Sequence, residues 1–156
     1  MTHQLNFIYN DSDWIAPAEY PDLSQATEIA IDLETKDPNI KTKGPGWATF
    51  DGHIVGFAVA ALGQQWYFPI AHDAGGNMDL SITCAWMQDV LKTDATKIFH
   101  NASYDVGWLL INGFEIRGKI VDTMIAAALI NENRFSFSLN ACAKDYLGEI
   151  KNETFL

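Results

Sequence analysis

TEIAIDLET, residues 27–35, decides how this chain folds. Apolar Ile29, Ile31 and Leu33 alternate with Ala30, Asp32 and Glu34, a period of two that reads as a buried strand ending in polar residues. On such a strand Asp32 and Glu34 share one face while Ile31 and Leu33 point to the other. Two like charges about 6–7 Å apart at the end of a buried strand repel unless a cation sits between them, and hard oxygen ligands suit Mg²⁺ or Mn²⁺. Taken alone, the same spacing also describes an exposed polar face.

Working outward, HIVGFAVAAL (53–62) and QQWYFPIA (64–71) read as further strands joined in a hairpin through Gly63, and KIFH (97–100) as a short fourth. Helical patterns dominate later. One is expected from Leu80 to Lys92 with Asp79 as its N-cap, and another over ASYDVGWLLING, capped by Asn101 and ended by Gly113. DTMIAAALIN opens a third with Asp122 as cap, and SLNACAKDYLG a fourth with Ser138. Strands first and helices later make an α/β domain. Between the first two strands, KDPNIKTKGPGWATFDG (36–52) is a polar loop rich in Gly and Pro beside the carboxylates, placed to grip a substrate.

The 156 residues suit one domain, and a 48% hydrophobic share with 12% aromatics argues against disorder. No apolar run approaches the ~20 residues of a membrane helix, and the start lacks a secretory pattern, so a cytoplasmic chain without a membrane partner is expected. Cys84 and Cys142 have no zinc-ligand spacing around them and are expected as two buried thiols. The net charge of −10 is unusual for a stand-alone nucleic-acid binder. A DNA substrate therefore calls for bound divalent cations, a local patch at Lys36, Lys41 and Lys43, or a basic domain elsewhere.

HNASYDVGWLL (100–110) supplies a third acid. Asp105 falls one helical turn after Asn101, while Val106, Leu109 and Leu110 anchor the remaining face. An acid offered from a helix to a strand bearing two others makes a cluster able to hold two metal ions. His100, Ser103 and Asp105 lie close in sequence, but no GxSxG elbow supports a serine hydrolase. His72 and Asp73 are read as structural loop residues and Asp122 as a helix cap. Thr35, Asn101 and Trp47 are the expected substrate contacts, Trp47 as a base-stacking platform and the other tryptophans as core.

AIDLET, WYFPIAHD, FHNASYDVGWLLINGFEIRG, DTMIAAALIN and SLNACAKDYLG, in this order, resemble the DnaQ-like (DEDD) 3′–5′ exonuclease superfamily, as found in the proofreading domain of family A DNA polymerases of bacteria or phage. The resemblance spans Glu28 to Gly148 and implies a ribonuclease H-like fold, a mixed sheet flanked by helices. It places AHD near the catalytic side. It implies that Asp32 and Glu34 ligate a first Mg²⁺ or Mn²⁺, that Asp32 bridges to a second ion, and that Asp105 helps hold the second. It further implies a single-stranded DNA 3′ end as substrate, a polymerase domain in cis or trans as partner, and no small-molecule cofactor beyond metal; DNA over RNA rests on the resemblance alone.

The family's third motif, a Tyr or His several residues before a final Asp, is not found. Asp145, Glu149 and Glu153 lack that partner, and Tyr146 and Ile150 do not supply it. The expectation is one exonuclease-like domain over residues 1–156, incomplete at its C-terminus and weak or inactive as an isolated chain. The alternatives are a catalytically silent module of the same fold that binds nucleic acid or protein, and a related exonuclease acting on RNA.

Overall fold

The computed structural model describes residues 15–73 and 75–149; Trp14, Ile150 and Glu153 lie outside them. The alternation of residues 28–36 does build a strand, β1 (Glu28–Lys36), with Ile29, Ile31 and Leu33 buried and Asp32 and Glu34 half-buried. β2 (His53–Ala61) and β3 (Gln64–Pro69) follow as an antiparallel hairpin, while β4 (Thr96–Phe99) and β5 (Ile120–Asp122) run parallel to β1. The sheet order is β3-β2-β1-β4-β5, so β1 lies at its centre.

Directly paired residues share a face, which sorts the sheet into two sides. Ile31, Val59 and Trp66 lie on one, as do Leu33, Phe57 and Phe68. This side joins Met87, Val90 and Leu91 of α3 (Leu80–Lys92) and Trp108 and Leu109 of α4 (Ala102–Ile111) in one hydrophobic core. The other side carries Ala30, Asp32 and Glu34 against Ala60, Ala58 and Gly56. Its small residues floor an open cleft of about 1140 Å³, bordered by Thr123 at the start of α5 (Thr123–Ile130) and Leu139 at the start of α6 (Leu139–Leu147), while the short helices α1 (Ile40–Lys43) and α2 (Gly46–Thr49) lie between β1 and β2 in the chain.

Several caps follow the sequence. Asp79 accepts from Ile82 N at 2.9 Å, and Ser138 accepts from Ala141 N at 3.3 Å. Asn101 departs from its expected role: it occupies the N-cap position of α4 with φ 71° and makes no side-chain cap bond. The cap comes from Asp122, whose Oδ1 and Oδ2 accept from Asn101 N (3.1 Å) and Ala102 N (2.8 Å). The same carboxylate caps α5 through Met124 N (2.9 Å) and Ile125 N (3.4 Å), as expected for Asp122. Burial pushes its pKa up, and these four N–H groups outweigh burial and hold it below the usual carboxylate range.

Further features were not foreseen in the sequence. β5 is only three residues long and went unread in EIRGKIV, and the polar loop after β1 contains the two one-turn helices α1 and α2. Cys84 is half-buried, whereas Cys142 is buried as expected. Lys97 is 0% exposed on the core side, where its ammonium is received by the carbonyls of Thr93, Ala95 (3.0 Å) and Arg117 (3.0 Å) and by Thr93 Oγ1 (3.1 Å). A cation is tolerated there because carbonyl oxygens replace its water.

Candidate functional site

The pairing of β4 with β1 ends at Ala30, which leaves the next stretch of β1 exposed on that edge. Helix α4 fills the gap. Its Asp105 is 3% exposed, and Oδ1 accepts the backbone N–H of Leu33 at 3.1 Å, the residue between Asp32 and Glu34. Burial first, and the charge of Asp32 second, push the Asp105 carboxyl up to about 7 from its ordinary 3.8. The Leu33 N–H pulls the other way and does not compensate. Asp32 and Asp105 therefore meet as a coupled pair of acids on the half-buried end of the central strand.

Glu34 stands further along the same face, opposite Gly56. Its charge acts on the Tyr67 phenol, whose pKa is raised first by burial and then by Glu34. Among the described residues, no three His, Cys, Asp or Glu side chains stand close enough together to hold one ion. Asp105 thus meets the strand between Asp32 and Glu34 and feels the charge of Asp32, while the charge of Glu34 is felt at Tyr67 of β3.

Of the three expected substrate contacts, Thr35 is engaged with Tyr104 of α4. Tyr104 Oη donates to Asp37 Oδ2 at 3.0 Å, so its single proton is used and Thr35 Oγ1 donates to it at 2.7 Å. Burial is the first cause that raises the Tyr104 phenol. Asp37 Oδ2 also accepts Gly46 N at 2.8 Å, which fastens the loop helices over α4. The Asn101 side chain faces Ser103, whose hydroxyl donates to Oδ1 at 3.2 Å.

Trp47 does not stand open as a platform. Its ring lies against α4 at Gly107, where an added Cβ would sit 2.4 Å from Trp47 Cε2, and it packs on the core. The aromatic that this loop presents to solvent is Phe50, 86% exposed with φ 56°. A polar loop bearing two aromatics does not tell from sequence which one folds inward.

The lysines of the same region are partly committed. Lys36 pairs with Asp73 at 2.8 Å, and Lys43 lies 3.9 Å from Asp51. Exposed pairs of this kind contribute little. His100 lines the cleft and is pinned by Thr123 Oγ1 at Nδ1 and by the Phe137 carbonyl at Nε2, both 2.8 Å. Sequence reasoning passed over Tyr67 and Tyr104 as site neighbours. The signal for Tyr67 was its place one residue off the alternating core pattern of β3, next to Phe68.

The donor set is one of hard carboxylate oxygens, and Asp105, raised first by burial and then by the charge of Asp32, is a group whose ionised form a divalent cation would favour. These residues suit Mg²⁺ or Mn²⁺.

Comparison with known proteins adds relatives. A family model described as 3′–5′ exonuclease matches residues 18–155. The DNA-directed DNA polymerase of Pseudomonas phage M6 is 33% identical over 157 aligned positions, covering 96% of this chain and 24% of the polymerase. DNA polymerase DpoZ of Salmonella phage PMBT28 is 30% identical over 132 positions, covering 83% of this chain and 19% of that protein. The chain thus spans about a quarter or less of the polymerases it resembles. Among solved structures, Brucella melitensis NrnC with bound Mg²⁺ superimposes with a TM-score of 0.60 at 19% identity, over 85% of this chain and 59% of that one.

Proposed function

Because the chain belongs to the 3′–5′ exonuclease family of family A DNA polymerases, with its ribonuclease H-like sheet, we propose that Asp32, Glu34 and Asp105 form a divalent-metal site for removing nucleotides from a single-stranded DNA 3′ end. The observation that carries this reading is the coupled acid pair. A carboxyl held at about 7 by burial and by Asp32 is an unfavourable element in the metal-free fold, and such elements gather at functional sites. Mg²⁺ bound in NrnC supports the choice of ion by likeness of fold alone.

Two Mg²⁺ or Mn²⁺ ions, when bound, supply activation of a water and neutralisation of charge at the phosphate. The chain's own part is to hold the acids. β1 carries Asp32 and Glu34 on one face, and the N–H of Leu33, the residue between them in the chain, fixes the Asp105 carboxylate at that point of the strand. The cleft over Ala30, Ala58 and Ala60 offers an apolar floor on which a nucleotide strand can lie with its terminal phosphate at Asp32. Metal ions at the acids reconcile the net charge of −10 with an anionic substrate. A polymerase domain, in cis or trans, is the proposed partner and the source of the primer end.

The test is digestion of 3′-labelled single-stranded DNA and RNA with Mg²⁺ or Mn²⁺, with and without a polymerase domain added in trans. DNA cleavage that vanishes in Asp32→Ala supports the reading. Cleavage that persists in Asp32→Ala, or is no weaker without metal, refutes it.

A further inference from the structure

Gly56, opposite Glu34 on β2, leaves a bare stretch of backbone, and a Cβ added there would stand 2.1 Å from Tyr67 Oη and 2.4 Å from its Cζ. Tyr67 itself sits opposite Ala58, the partner of Asp32. Its ring therefore leans from the Asp32 row toward the Glu34 row and lies over Gly56. There the phenol meets His72 Nε2 in a hydrogen bond, the two rings edge to face with centroids 5.7 Å apart at 74°. Glu34, paired with Gly56, belongs to the row over which the Tyr67 hydroxyl lies, and its charge adds to burial in raising the phenol.

His72 is firmly held. Its N–H donates to Asn77 Oδ1 at 2.7 Å and its carbonyl accepts from Asn77 Nδ2 at 2.9 Å. The register of β1 on β2 skips from Glu34–Gly56 to Thr35–Ile54, leaving Val55 as the extra residue of a bulge. The Val55 carbonyl accepts both Ile70 N (2.9 Å) and Ala71 N (3.1 Å), so the bulge beside Glu34 anchors the segment leading into His72.

We propose that Tyr67 is a positioning residue for Glu34: His72 donates from Nε2–H to the Tyr67 oxygen, and the Tyr67 hydroxyl donates to the Glu34 carboxylate and fixes its rotamer. Proton counting gives the chain a direction. Tyrosine has one hydroxyl proton. Were the His72 proton on Nδ1, Nε2 would take the tyrosine proton and turn a lone pair toward Glu34. The consequence for metal binding rests on the exonuclease reading above, whereas the tautomer does not.

Nitrogen-15 NMR of the histidine-labelled full chain at pH 8, where unperturbed imidazole is neutral, reads that tautomer directly. The expected result is His72 protonated on Nε2, shifting toward Nδ1 in Glu34→Ala; an Nδ1 proton in the wild type overturns the relay. Calorimetric titration with Mn²⁺ is the second arm. Tyr67→Phe keeps the ring over Gly56 and should weaken Mn²⁺ binding about tenfold, the scale of loss when a ligand's supporting partner is removed. Equal affinity in Tyr67→Phe and wild type overturns the positioning role. If the wild type binds no Mn²⁺ while His72 carries Nε2–H, the metal reading fails and the hold on Glu34 stands.

Discussion

Replacing Asp105 with Asn tests whether the acid pair burdens the metal-free fold. Asp105 has a folded pKa of about 7 against 3.8 ordinarily. Since the folded value is raised, its contribution to stability is full below the unfolded value and is lost as pH rises through the folded one. At about 1.4 kcal/mol per pH unit, the interval corresponds to roughly 4 kcal/mol withdrawn from the protein by pH 8. Asn is isosteric, removes the charge and retains an oxygen for Leu33 N–H. Relative to the neutral acid it presents an amide needing its own acceptor, a cost of about 2 kcal/mol. The net expectation at pH 8 is a gain of roughly 2 kcal/mol, or about 4–8 °C in Tm for a chain of this size. At pH 5 the gain should disappear. Urea denaturation of wild type and Asp105→Asn in chelator at both pH values gives the comparison, and the difference between variants cancels the other titrating groups. A variant no more stable than wild type at pH 8, or equally shifted at both, refutes the reasoning. With Mn²⁺ at a hundred times its Kd, wild type alone should recover about 2.7 kcal/mol.

Asp122→Ala removes acceptors from four N–H groups on two helices and should destabilise by about 2–3 kcal/mol in chemical denaturation, at roughly 1 kcal/mol or more per cap. Gly56→Ala drives a methyl into the Tyr67 hydroxyl, so a loss of about 1–3 kcal/mol is expected, and the Tyr67 ring resonances should shift. Lys97→Met leaves the carbonyls of Thr93, Ala95 and Arg117 without a donor, and a stability loss of about 2–3 kcal/mol is expected by thermal unfolding.

The central strand was legible because its two faces differ so sharply in chemistry. Ile29, Ile31 and Leu33 could only point inward, and that fixed the direction of Asp32 and Glu34. The helices after Asp79, Asp122 and Ser138 announced themselves through caps that act within three residues of their own N-terminus. The cap of α4 did not, since its acceptor lies some twenty positions away and Asn101 only resembles one. Burial of Lys97 was equally hidden, because a lysine on a strand gives no sign that carbonyls from two loops will surround it. Within the site, the residue types were readable and their mutual approach was not. The seat of the Tyr67 ring over Gly56, in the row of Glu34, depends on the absent side chain of that glycine, which a strand pattern does not reveal. Trp47 was misjudged for a related reason: only the missing side chain of Gly107 gives its ring a seat on α4.

Asp122 also has a consequence for anyone recombining this domain with its phage relatives. Segments 101–111 and 122–130 share a single acceptor and so form one exchangeable part, although a loop separates them in sequence. A chimera whose crossover falls at residues 112–119 would bring together a helix and a carboxylate of different parentage. Crossovers placed before His100 and after Ile130 keep the pair intact and should yield hybrids that assemble.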